Sequence, residues 1–100
     1  MVITINKQQN GGALVIKPEG RLDTMTAPEL EEEVKRLLDG VTDLTFDFEK
    51  LEYVSSAGLR VLFSAYRAMR GQGTMKIVNA NEIITEVFDV TGFADVLRTN

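Results

Sequence analysis

Cysteine and histidine are both absent from the 100 residues. That removes disulfides, a thiolate nucleophile, a Cys/His zinc site and a histidine general base. Proline is nearly absent, with two residues, and there is no low-complexity run, so disorder is expected only at the extreme ends. No apolar stretch approaches the roughly 20 residues that span a bilayer. The opening Met1-Val2-Ile3-Thr4-Ile5 alternates and lacks the basic n-region of a signal peptide. A cytoplasmic protein with no membrane contact is expected. Positive charge is also short: 11 Lys and Arg stand against 15 Asp and Glu, for a net charge of −4. Such a balance argues against a nucleic-acid binder, which needs a basic surface to meet phosphates. No Gly-x-x-x-x-Gly-Lys-Ser/Thr loop occurs, so a nucleotide-hydrolysing domain would lack its phosphate cradle. No metal and no cofactor are expected, and no catalytic residue is assigned.

What remains is ordinary for a globular protein, with 44% hydrophobic and 26% charged residues. One hundred residues supply one core, so residues 1–100 are read as a single domain. Residues 2–7 and 13–17 alternate as strands, and Asn10-Gly11-Gly12 between them is a hairpin turn signal. Pro18 is expected to end the second strand, because it cannot donate to a ladder. Thr26-Ala27-Pro28-Glu29 matches a capping box ahead of Leu30, Val34, Leu37 and Leu38 at helical spacing, with Gly40 as the stop. The acidic run Glu29, Glu31, Glu32 and Glu33 reads as a solvated helix face. Leu44, Phe46 and Phe48 alternate in a strand over 43–48. A second helix opens near Ser55-Ser56 and stops at Gly71-Gln72-Gly73; a strand follows over 75–78. Asn81 can cap a third helix that Gly92 ends, before an apolar tail from Phe93 to Leu97. The order ββαβαβα predicts an α/β fold: a mixed sheet of four or five strands with packed helices, opening on an antiparallel hairpin.

Hydroxyl clusters at Asp23-Thr24, Ser55-Ser56 and Thr91-Gly92 lie at junctions of strands and helices or at a helix end. In open α/β sheets, ligands gather at such an edge. The pair Ser55-Ser56 is open to two interpretations. Serine is a favoured N-cap and needs no function there. A hydroxyl at a helix N-terminus can also accept a phosphate, because free amides and the positive dipole end face it. Ala57 and Gly58 leave that hydroxyl accessible, and Gly58 also suits close helix–strand packing.

Gly20-Arg21-Leu22-Asp23 followed by Ala27 and Leu30, then Asp47 to Tyr53, then Val54-Ser55-Ser56-Ala57-Gly58-Leu59 together resemble the STAS domain family, over nearly the whole chain. In particular they resemble the anti-sigma factor antagonists of bacterial partner switching. The resemblance implies a non-enzymatic protein that binds an anti-sigma factor serine kinase and so releases the sigma factor. Phosphorylation then switches it off, and a serine phosphatase restores it. Ser56 takes the place of the phosphorylated serine, and Ser55 that of an aspartate common just before it. That missing carboxylate could have ordered the loop or met the kinase. Asp23, Thr24, Ser55, Ser56, Gly58 and Leu59 are the implied partner-binding residues. Asp47 matches a strand-end acid expected to accept hydrogen bonds from loop amides. An unphosphorylated STAS scaffold or a ligand-sensing module is the alternative.

Overall fold

Alternation at the start of the chain builds a hairpin. In the computed structural model, which describes residues 3–93, β1 (Thr4–Asn10) pairs antiparallel with β2 (Ala13–Leu22). Asn10 faces Ala13, so Gly11 and Gly12 form a two-residue turn, and Gly11 takes a positive φ of 62° that side chains disfavour. The strand start at Val2 and the tail beyond Phe93 lie outside the described residues.

β2 runs five residues past its expected end, through Pro18 to Leu22. The reason is a change of parallel partner. Ala13–Ile16 pair with β3 (Asp43–Asp47), and Gly20–Leu22 pair with β4 (Leu51–Val54). Pro18 falls between the two parallel ladders, where its missing N–H breaks neither of them. β4 itself is an element the sequence pattern did not yield. It makes five strands, in the order β1-β2-β3 and then β5 (Thr74–Val78), with β4 joined to the far end of β2. β5 pairs parallel with β3.

Three helices cover this sheet: α1 (Ala27–Leu37), α2 (Ser56–Arg70) and α3 (Glu82–Thr91). Each buries one stripe, as with Ala27, Leu30 and Val34 on α1, and Leu59, Leu62, Ala65 and Met69 on α2. α1 and α2 touch each other, and α3 lies against β4. The stripes meet Leu14, Ile16, Leu44 and Phe46 from the strands and Phe48 just past β3. Phe48, Phe88, Phe93 and Phe63 form a chain of aromatic contacts, the tightest an edge-to-face pair of Phe63 and Phe93 at 4.6 Å. No helix among the described residues is long and apolar enough to cross a membrane.

Asn81 caps α3 as expected: its side chain accepts from the Ile84 amide at 2.8 Å, and its Nδ2 reaches the carbonyls of Leu51 and Glu52. Gly92 closes the helix in the left-handed conformation. The capping box on α1 does not form.

Candidate functional site

The change of partner on β2 positions the site. Leu22 and Val54 are register partners at the ends of two parallel strands. The residues that follow, Asp23 and Ser55, therefore leave the sheet side by side, about one strand spacing apart. The Ser55 amide donates to the Leu22 carbonyl at 2.8 Å, which ties the two loops together.

The first loop is held by its own polar groups. Asp23 Oδ1 accepts from the amides of Met25 (3.0 Å) and Thr26 (3.2 Å), and the Asp23 carbonyl accepts from the Ala27 amide at 2.8 Å. Thr26 is fully buried. Its hydroxyl donates to the Arg21 carbonyl at 2.7 Å and accepts from the Asp23 amide at 2.9 Å. The hydroxyl thus points back into the turn and not forward along α1, and Thr26 makes no side-chain cap hydrogen bond. That is why the expected capping box with Glu29 is absent. Burial pushes the Asp23 carboxyl up. The amides of Thr26 and Met25, the Thr26 hydroxyl and the charge of Arg21 together outweigh it and hold the group below the ordinary aspartate value. Arg21 lies over the Tyr53 ring at 4.5 Å, with its Nε 3.9 Å from Asp23 Oδ2.

The second loop is held mostly by packing. Ser55 is the N-cap of α2, with extended backbone and a long 3.4 Å bond from the Gly58 amide to its hydroxyl. Gly58 is buried against the end of β2. A Cβ there would stand 2.7 Å from the Leu22 side chain and 3.0 Å from its carbonyl oxygen. Leu59 is buried in the core. Ser56, the first residue of α2, is exposed, and its hydroxyl has no hydrogen-bond partner among the described residues.

The structure thus brings Asp23, Thr24, Ser55 and Ser56 to adjacent loops, with Thr24 and Ser56 outward. Gly58 and Leu59 face inward, so they set how close the loops sit and present little surface. Thr91 stands apart: its hydroxyl donates to the carbonyls of Val87 and Phe88 within its own helix. Asp47 accepts from the Glu49 amide and from Asn79 Nδ2, the structural role expected of it. The Asn79 bond is the main influence holding its carboxyl low.

Three residues were not assigned to the site from the sequence. Met25, between the amides bound to Asp23, is 74% exposed, an unusual position for a large apolar side chain. Thr26 and Arg21 brace the turn from behind. The run Asp23-Thr24-Met25-Thr26 carries the signal of an aspartate-started turn, but the capping-box match that begins at Thr26 competes with it.

The STAS domain family matches residues 4–100. The chain belongs to the STAS family. It is 29% identical over 98 residues to the anti-sigma-B factor antagonist of Bacillus subtilis (strain 168), covering 97% of this chain and 90% of that protein. The crystal structure of an anti-sigma factor antagonist from Mycobacterium paratuberculosis superposes with a TM-score of 0.85 at 24% identity, over 94% of this chain and 81% of that one. The Bacillus cell fate determinant SpoIIAA in its phosphorylated form gives a TM-score of 0.72 at 19% identity, over 92% and 86% of the two chains. These two structures share the STAS fold with this chain.

Proposed function

We propose that this STAS domain is an anti-sigma factor antagonist whose active state carries a free Ser56 hydroxyl. In that state it binds an anti-sigma factor serine kinase through the Asp23–Met25 and Ser55–Ser56 loops. The observation that carries this reading is Ser56 itself, an exposed hydroxyl with no partner among the described residues, at the first turn of a helix. The Bacillus subtilis relative, an anti-sigma-B factor antagonist across nearly its whole length, supports the class of partner.

The chain is a substrate and inhibitor in this scheme, not an enzyme. The bound kinase supplies ATP. A bond forms between Ser56 Oγ and the γ-phosphorus, and the bond from that phosphorus to the bridging oxygen of ADP breaks. The hydroxyl proton passes to a base on the kinase. On this chain Ser55 stands where the family has a carboxylate, and Asp23 Oδ1 is engaged by its own loop. The product carries about −1.5 to −2 charges at neutral pH. At the first turn of α2, that charge meets the helix dipole favourably, so the domain stays folded. Inside an interface it must be desolvated or repelled, and the complex separates. A serine phosphatase resets the protein.

Reaction of the purified domain with its cognate kinase and ATP, followed by phosphopeptide mapping, tests this. Phosphate on Ser56 with release of the kinase is expected. Label on Ser55 that persists in Ser56→Ala would move the switch by one residue. A kinase that binds yet labels neither serine would make the domain an unphosphorylated scaffold.

A further inference from the structure

Ser56 and Arg60 are one helical turn apart on α2, at the i and i+4 spacing that places two side chains on the same helix face. Both are exposed. The ion pairs among the described residues are Lys7–Glu33, Arg21–Asp23 and Arg36–Glu33, so the Arg60 guanidinium is in none of them. It makes no side-chain hydrogen bond there either. The first turn of α2 holds no acidic residue that would compete for it. The other arginine near the site, Arg21, is already taken by Tyr53 and Asp23.

We infer that Arg60 is the internal counter-ion of the phosphorylated state, donating to the phosphate oxygens carried by Ser56. The inference rests on the reading of Ser56 as phosphoacceptor. A guanidinium is suited to the task, since its planar fork matches two phosphate oxygens at once. The backbone from Ser56 to Arg60 is already helical, so pairing requires only side-chain rotation. Phosphorylation then changes the surface twice. It adds an anion, and it withdraws a cation that, among the described residues, is unpaired one turn along the helix from the hydroxyl. A partner that used Arg60 in the unmodified state loses that contact in the same step.

The test needs no kinase. Phosphoserine is installed at position 56 during translation, and the phosphate is titrated by phosphorus NMR. The chain has no histidine or cysteine, so no other side chain is expected to titrate near the second phosphate pKa of about 6. Arg60→Gln is expected to raise that pKa by about half a unit at low salt. The difference should shrink near 1 M salt, where the Debye length falls to about 3 Å. Arg60→Lys should fall between the two, keeping the charge and losing the fork. Arg67→Gln, exposed two turns further along α2, should leave the value unchanged. Equal pKa values in the native chain and Arg60→Gln overturn the inference, as does an equal rise in Arg67→Gln. Failure of the cognate kinase to label Ser56 in unmodified protein sinks the functional proposal alone and leaves the NMR result standing.

Discussion

Two loops that resemble each other in sequence are built in opposite ways. Each carries a hydroxyl residue just ahead of a helix, Thr26 before α1 and Ser55-Ser56 before α2. In the first, Thr26 is buried and bonded at both ends, and the Asp23 carboxylate gathers two amides. In the second, one long cap bond and the absence of a Cβ at Gly58 fix the backbone, and the Ser56 hydroxyl is unengaged among the described residues. One loop uses its polar groups to hold shape. The other holds shape by packing, which leaves a polar group over for chemistry.

The largest effect should come from breaking the first loop. Thr26→Val keeps the volume but leaves the Arg21 carbonyl and the Asp23 amide without their partner. A loss of about 1–3 kcal/mol is expected in urea unfolding. Thr26→Ser, which keeps the hydroxyl, should recover most of it. A Thr26→Val protein as stable as the parent would show that the buried hydroxyl does not hold the turn.

Gly58→Ala probes the packing of the second loop. The added methyl meets Leu22, and overpacking of about 1–3 kcal/mol is partly offset by about 1 kcal/mol of helix propensity. A net loss near 1 kcal/mol is expected by denaturant titration. Gly71→Ala serves as the control, because a Cβ there meets nothing within 4 Å. Equal effects at the two glycines would contradict the close approach of α2 to β2.

Ser55→Ala removes the cap and should cost about 0.5–1 kcal/mol, at the low end for caps because its bond is 3.4 Å long. Acid offers a gentler test of the first loop. The folded Asp23 carboxyl sits below its ordinary pKa, so its contribution is complete above about pH 4 and is lost as pH falls through the folded value. Protection against amide exchange at Met25 and Thr26, taken relative to the intrinsic rate at each pH, should fall over that window in the native chain, and the fall should be missing in Asp23→Ala. Ser56→Ala should change stability least, by no more than about 0.5 kcal/mol, since its hydroxyl has no partner among the described residues.

Much of the fold could be read from the chain because its signals are local. Gly11-Gly12, Asn81 and Gly92 each mark a turn or cap by their own backbone preferences, and the helix stripes repeat long enough to show a period. The places where reading failed depend on distant residues. Pro18 looked like a strand end because the parallel ladders on either side of it are made by β3 and β4, 25 or more residues away. β4 is four residues long, too short for alternation to show. Thr26 matched a capping box, and only its burial beneath the turn made Arg21 its partner instead. The candidate site was partly legible for the same reason. Ser55 and Ser56 sit at a helix start that spacing reveals, whereas the exposure of Met25 follows from how Asp23 and Thr26 close the loop.

The central claim is that phosphorylation of Ser56 acts on an interface and not on the fold. Urea unfolding of the Ser56-phosphorylated and unmodified proteins, measured side by side, tests it most directly. The account predicts that the modified protein is as stable as the parent or more stable by up to about 1 kcal/mol, through the helix dipole. A phosphorylated domain that is less stable by several kcal/mol, or unfolded without denaturant, would contradict it.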